Sequence, residues 1–131
     1  MVSATGGFKI DAWDEDAYEE FEDGAKLTEA NVRQTFEGSL VGTGTVRWLM
    51  SYRSDGTAHY VGLQRFEGAV EGRRGSFVAE TSGDFDKERA RWTLTVIPGT
   101  GTDDLAGIEG HGTFEAPHGG SASFEFDYQL G

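Results

Sequence analysis

The chain has no cysteine and only two prolines among its 131 residues. Without cysteine, a disulfide scaffold, a thiolate nucleophile and a cysteine-ligated metal are excluded, and a reducing compartment is compatible with the sequence. The sequence also lacks any apolar run close to the roughly 20 residues of a membrane helix, and its first residues form no basic, apolar leader. These absences predict one soluble, cytoplasmic domain over residues 1–131, with no membrane association.

Basic residues are scarce, with 11 Lys and Arg against 23 Asp and Glu, and the formal net charge is −12 at pH 7. This balance argues against a nucleic-acid partner, because phosphate binding needs clustered cations. Eight carboxylates crowd residues 11–25, which we predict as a solvated acidic loop between the first and second strands. Their spacing matches no calcium loop, and the three histidines lie on separate segments, so we predict no metal site. No nucleotide or phosphate motif occurs either, so we predict no cofactor.

Twenty glycines lie among segments rich in Val, Thr, Phe, Tyr and Trp, a composition typical of many strands joined by tight turns. Alternation of apolar and polar residues predicts eight strands, near residues 7–13, 26–38, 44–53, 57–70, 75–85, 90–98, 108–116 and 121–130. The sequence Ser54-Asp55-Gly56 marks the clearest hairpin turn.

An internal repeat indicates how the strands are arranged. Gln34-Thr35-Phe36-Glu37-Gly38 recurs as Gln64-Arg65-Phe66-Glu67-Gly68. A repeat of this length corresponds to one hairpin, so equivalent hairpins are expected around a closed sheet. The sequence therefore predicts an all-β fold, an eight-stranded antiparallel β-barrel.

Residues two apart in a strand share a face, which allows inward and outward positions to be assigned. The fourth strand is the ambiguous one, because Val61 and Leu63 lie opposite Tyr60 and Gln64. We predict Tyr60, Gln64 and Phe66 to point inward, because the repeat pairs the last two with Gln34 and Phe36. The inverted strand would instead turn Glu67, Arg65 and His59 inward and create an acid/base site.

The predicted interior is aromatic with a few polar groups, and a buried polar group without a partner costs about 1 to 3 kcal/mol. Either these groups satisfy one another in a packed core, or they line an elongated, mainly apolar central cavity that binds a ligand. The predicted cavity residues are Gln34, Phe36, Trp48, Met50, Tyr52, Tyr60, Gln64, Phe66, Phe77, Thr81, Trp92, Phe126 and Tyr128.

Several segments carry a resemblance to a known family over nearly the full length of the chain. They are Trp13-Asp14-Glu15, Lys26-Leu27-Thr28, Gln34 to Gly38, Tyr52 to Ala58, Arg73 to Val78, Gly99 to Phe114 and Ala116 to Gly119. In their order and spacing the chain resembles a bacterial family of unknown function among the allene oxide cyclase-like barrels, which are of the dirigent and lipocalin type. The resemblance implies a barrel with a central cavity and a homo-oligomer, a trimer or dimer. It also implies steering of reactive apolar intermediates without a cofactor.

The chain departs from the family pattern at two positions. It has Gln64 where Glu is usual, and Thr81 lies near the position of a usual His, so no catalytic acid or base is predicted. His118, in a turn at a barrel end, is a candidate for the cavity mouth.

The expected function is binding of a small apolar or polyketide-like molecule, with cofactor-independent cyclase or isomerase activity through conformational templating. Two alternatives stay open. One is a non-catalytic protein that sequesters a hydrophobic metabolite. The other is an assembly protein with a filled barrel and an exterior apolar patch of Val41, Leu49 and Val70.

Overall fold

The computed structural model describes residues 1–117 and 121–130, and over these residues it contains eight antiparallel strands. The strands are β1 (Val2–Glu20), β2 (Lys26–Gly38), β3 (Leu40–Tyr52), β4 (Ala58–Val70), β5 (Arg73–Phe85), β6 (Arg89–Val96), β7 (Ile108–Pro117) and β8 (Ala122–Leu130). Each strand pairs with its neighbours in sequence, and β8 pairs with β1. The predicted all-β, eight-stranded antiparallel barrel is therefore confirmed. Within the described ranges, no helix is long and apolar enough to cross a bilayer.

The first strand is much longer than the sequence predicted. Residues 11–20 belong to β1 and pair with β2, so the acidic loop expected over residues 11–25 is reduced to the turn at 21–25. Asp and Glu have low strand propensity, but here their side chains mostly point to solvent while the backbone completes its ladder with β2. Two irregularities in the register, between Ile10 and Ala12 and between Ala17 and Glu19, interrupt this pairing.

Strand β1 also extends beyond its pairing with β8. It pairs with β8 only from Val2, opposite Tyr128, to Phe8, opposite Ala122, whereas its pairing with β2 continues to Glu20. Among the described residues, β1 therefore has a partner on one side only from Lys9 onward. We call this segment, residues 9–20, the upper half of β1.

Strand β3 begins at Leu40, earlier than predicted, because Gly42 lies in the strand rather than in a turn. Gly42 has a φ of 156° and lies opposite Gly68. A Cβ atom on Gly42 would lie 2.2 Å from the Glu67 carbonyl oxygen. Glycine permits this close approach of β3 and β4.

The predicted inward faces are buried, and the structure shows which face of the fourth strand points inward. Tyr60, Gln64 and Phe66 are buried, while Val61 and Leu63 are exposed. The inverted arrangement is excluded, since Arg65 and Glu67 form an ion pair of 2.6 Å on the outer surface. In the predicted exterior patch, Val41 and Leu49 are exposed, but Val70 is fully buried because it shares the inward face of β4 with Phe66.

The sequence repeat corresponds to two successive hairpins, β2–β3 and β4–β5. Its equivalent residues contact each other inside the barrel. Gln64 Nε2 donates a hydrogen bond of 2.8 Å to Gln34 Oε1, and the ring centroids of Phe36 and Phe66 lie 5.8 Å apart. The repeat thus contributes both a polar and an aromatic pair to the core.

Candidate functional site

An apolar cavity of about 340 Å³ lies at one mouth of the barrel, beside the upper half of β1. We call it the mouth cavity. It lies at the end of the barrel where the ends of β3, β4, β5, β6 and β7 meet. Here β1 continues beyond the last residue that pairs with β8. Its lining residues are Ile10, Trp13, Trp48, Met50, Tyr52, Tyr60, Phe85, Glu88, Arg89, Ala90, Ala116 and Pro117.

Aromatic rings form the walls of the mouth cavity. The ring of Trp48 lies 4.9 Å from that of Tyr60 and 5.7 Å from that of Trp13. Trp48 Nε1 donates a hydrogen bond of 2.9 Å to Thr81 Oγ1, so the indole is fixed in orientation. Trp13 is 41% exposed and covers the outer side of the cavity. These walls present flat apolar surface to a ligand.

Below the mouth, side chains fill the barrel axis. Trp92 packs against Trp48 at 5.0 Å, against Phe8 at 5.6 Å and against Phe114 at 5.7 Å. Trp92 is 1% exposed, and its Nε1 has no hydrogen-bond partner among the described residues. The apolar cavity is thus a shallow site at one end of the barrel, with Trp92 beneath it, rather than a channel along the axis.

Two glycines make room for the indole rings. Gly62 lies opposite Trp48 in the register and Gly83 lies opposite Trp92. A Cβ atom on Gly62 would approach Trp48 Cδ1 to 2.8 Å, and one on Gly83 would approach Trp92 Cβ to 2.5 Å. Small residues at these positions therefore allow both tryptophans to point into the barrel.

A second cavity, of about 500 Å³, adjoins the first and is polar. We call it the polar cavity. Tyr52 lines both cavities, so its ring forms the boundary between them. The lining residues of the polar cavity are Glu15, Ala17, Gly24, Lys26, Thr28, Tyr52, Arg53, Ser54 and Gly56.

Glu15 is one of the lining residues that the sequence analysis missed, with Trp13, Lys26 and Arg53. Its Oε1 accepts a hydrogen bond of 2.8 Å from Trp13 Nε1, and its Oε2 accepts one of 2.6 Å from Thr28 Oγ1. These bonds hold the carboxylate at the edge of the mouth. In the sequence, the one feature that marks this position is the aromatic Trp13 two residues earlier, within a run of carboxylates. The alternation of apolar and polar residues does not reveal an inward-facing residue in a strand that contains a bulge.

The phenols at the mouth stay protonated. Burial raises the pKa of Tyr52, and the neighbouring Glu15 carboxylate adds to that increase. Burial also raises the pKa of Tyr60, with a smaller contribution from Asp84. Both phenols are therefore hydrogen-bond donors, not bases, at physiological pH. Tyr60 donates a bond of 3.3 Å to the Arg91 carbonyl oxygen.

The predicted cavity residues separate into groups along the barrel. Trp48, Met50, Tyr52 and Tyr60 line the mouth cavity. The remaining predicted residues do not line it, and they are Gln34, Phe36, Gln64, Phe66, Phe77, Thr81, Trp92, Phe126 and Tyr128.

Tyr128 lies at the opposite end of the barrel, where its hydroxyl donates a bond of 2.5 Å to Glu71. Burial and this contact raise the pKa of Tyr128 to about 12. Phe126 stacks on Tyr128, and Phe77 stacks on Phe126. These three rings are therefore core residues of the far end, remote from the mouth.

The Gln34–Gln64 pair is buried and incompletely bonded. Gln34 is fully buried and Gln64 is 2% exposed. Within the described part of the chain, Gln34 Nε2 and Gln64 Oε1 have no partner. The pair thus offers one spare donor and one spare acceptor inside the barrel.

Two histidines lie on the outer surface. His59 Nδ1 contacts Asp84 at 3.0 Å, and His111 Nε2 lies 3.9 Å from Asp127. Over residues 1–117 and 121–130, no three side chains of the metal-binding types come together. His118 lies outside the described residues.

Residues 4–128 match the model of a family described as a protein of unknown function, DUF3224. The chain belongs to the DUF3224 family. The predicted relationship to a bacterial barrel family of unknown function is therefore confirmed.

A solved structure of the DUF3224 family is similar to this chain over its whole length. It is the 1.84 Å crystal structure of a protein of unknown function from Shewanella oneidensis MR-1. The two are 27% identical with a TM-score of 0.85, over 100% of this chain and 98% of the other. No curated protein matches the chain. The comparisons therefore establish the family and its barrel.

Proposed function

We propose that this DUF3224 protein binds a small, ring-bearing apolar molecule in the mouth cavity. The observation that carries the proposal is the cavity of about 340 Å³ walled by Trp13, Trp48, Tyr52 and Tyr60. Its volume lies within the range of about 300 to 1,000 Å³ of small-molecule sites, which are also mainly apolar with a few polar groups. The filled interior below Trp92 favours a compact ring system over an extended chain.

Such binding also suits the cofactor-independent cyclase or isomerase activity that the family resemblance implied. A rigid aromatic wall holds a reactive molecule in one conformation and excludes water from it. The protonated phenols of Tyr52 and Tyr60 would orient polar atoms of the ligand. The alternative function, sequestering an apolar metabolite without turnover, uses the same walls.

A cavity-filling variant tests the binding proposal. We expect Ala90→Trp, which places an indole in the mouth cavity, to weaken binding of 2-naphthylmethanol at least about tenfold. The measurement is isothermal titration calorimetry on the purified chain. Val41→Trp is the matched control, because Val41 is 58% exposed on the outer face of β3, far from the mouth. Binding that survives Ala90→Trp contradicts the proposal, as does a parent protein that binds neither this alcohol nor its charged counterparts 2-naphthoate and 2-naphthylmethylamine.

We also propose that the chain forms the expected dimer or trimer through the outer face of β3 and β4. Leu49 lies opposite Val61 in the register, and with Leu63 these side chains are 44 to 55% exposed on adjacent strands. Leu63 also lines a groove of the outer surface, together with Arg33, Arg47 and Arg65. Arg47 and Arg65 already pair with Glu29 and Glu67, whereas Arg33 forms no ion pair among the described residues. Arg33 would therefore pair with a carboxylate of the second copy and reduce the repulsion between two chains of net charge −12.

Light scattering coupled to size-exclusion chromatography tests the self-association. We expect Leu63→Glu to convert an oligomeric parent into a monomer, because it places a charge in the apolar patch. Val41→Glu is the control, since Val41 is exposed on the same strand face but near the other end of β3. A parent protein that is monomeric at all concentrations rules out this interface.

A further inference from the structure

The charges of the polar cavity point to the class of ligand. Lys26 and Arg53 line that cavity together with one carboxylate, Glu15. None of the ion pairs between described residues includes Lys26 or Arg53. Among the described residues, both cations therefore lack a carboxylate within ion-pair distance, and both line the same cavity.

Lys26 is placed at the boundary between the two cavities. Its Nζ lies 5.0 Å from the centroid of the Tyr52 ring, in a cation–π contact. Glu20 is opposite Lys26 in the register of β1 and β2, but it forms no ion pair with it. The ammonium group is therefore held beside the ring that an apolar ligand would contact.

Arg53 approaches the same cavity from the β3–β4 turn. Its Nη1 donates a bond of 3.1 Å to Thr57 Oγ1, and Asp55 accepts bonds from the Thr57 backbone and hydroxyl. The turn thus positions the guanidinium group while leaving most of its five donors free for another acceptor.

Glu15 opposes these cations only in part. Both of its oxygens accept hydrogen bonds, from Trp13 and from Thr28. The residues that line the polar cavity thus carry two positive charges against one negative charge, next to an apolar cavity that shares Tyr52.

We infer that the ligand of the mouth is an amphipathic anion. Its ring system fills the mouth cavity, and its carboxylate or similar oxyanion is bound by Lys26 and Arg53 in the polar cavity. This inference rests on the proposed binding function and adds the charge of the ligand. Charge-assisted hydrogen bonds to an oxyanion are about twice as strong as neutral ones, so the head group would contribute both affinity and orientation.

Three ligands with one ring system and different head groups test the inference. They are 2-naphthoate, 2-naphthylmethanol and 2-naphthylmethylamine, measured by isothermal titration calorimetry at neutral pH and low salt. We expect naphthoate to bind about tenfold more tightly than the alcohol, and the amine to bind most weakly. Added salt should weaken naphthoate binding and leave the alcohol unchanged.

Charge-removing variants identify the residues that recognise the head group. Lys26→Gln and Arg53→Gln should each remove most of the advantage of naphthoate over the alcohol, and Lys26→Arg should retain it. Arg53 is exposed, so its variant keeps the fold even if Lys26→Gln does not. Arg74→Gln, at the exposed start of β5 on the opposite end of the barrel, makes the same change in net charge away from the cavity and should have no effect.

The outcomes separate this inference from the proposed function. If the alcohol binds but Lys26→Gln and Arg53→Gln leave the ratio of naphthoate to alcohol affinity unchanged, the anionic class is overturned while binding at the mouth stands. Tightest binding of the amine overturns it in the same way, with Glu15 as the dominant charge. If none of the three ligands binds, the proposed function itself fails.

Discussion

Replacing Trp92 by alanine is expected to lower the free energy of unfolding by about 3 to 5 kcal/mol, the range for large aromatic truncations in cores. Trp92 is 1% exposed and contacts the rings of Trp48, Phe8 and Phe114. Its removal leaves a cavity in the barrel and also removes the support under Trp48. Chemical denaturation followed by circular dichroism measures the loss.

Trp13→Ala is the control for this prediction. Trp13 is 41% exposed and stands over the mouth rather than in the core, so the same change of residue should cost far less stability. It should instead reduce ligand binding, because it removes one wall. Equal loss of stability in both variants would show that Trp92 is not the central packing residue that its contacts indicate.

The buried glutamines are expected to behave as a coupled pair. Gln34→Leu and Gln64→Leu should each lower the free energy of unfolding by about 1 kcal/mol, because each breaks their mutual hydrogen bond and leaves the other amide unsatisfied. The double variant should be at least as stable as the parent, since it removes all four amide atoms, including the two that already lack partners among the described residues.

A double-mutant cycle from urea denaturation measures this coupling, which we expect to be about 1 to 3 kcal/mol in favour of the double variant. Gln129, which is exposed on β8 and bonded to Glu109, supplies the control: Gln129→Leu combined with Gln34→Leu should give additive effects. Additive losses for the buried pair would mean that each amide finds other partners and that the pair is not a unit.

Much of the barrel could be predicted because alternation reports which face of a strand is buried. The fourth strand shows the value of a second signal. Its own pattern was ambiguous at Val61 and Leu63, but the repeat of Gln34 and Phe36 at Gln64 and Phe66 assigned the inward face correctly. The strand-by-strand interior was therefore accessible without a structure.

The part of the mouth that β1 forms could not be predicted, for two physical reasons. A bulge near Asp11 moves the inward positions of β1 from Phe8 and Ile10 to Trp13 and Glu15, and a period-two pattern cannot register such a shift. The position of the cavity also depends on a difference in length between β1 and β8, which is a property of two distant segments together. Because Asp and Glu have low strand propensity, residues 11–20 were predicted as a loop and not as part of β1.

The pairing of the upper half of β1 with one neighbour affects how easily a ligand reaches and leaves the mouth cavity. A strand that is hydrogen-bonded to two neighbours can separate only when both sets of hydrogen bonds break. In the described part of the chain, residues 9–20 pair with β2 alone. Local opening of that segment therefore needs less free energy than global unfolding. Its amide protons should exchange with solvent earlier than those of β4. A molecule bound under Trp13 would then enter and leave when this segment of β1 separates from β2, while the other strands remain paired.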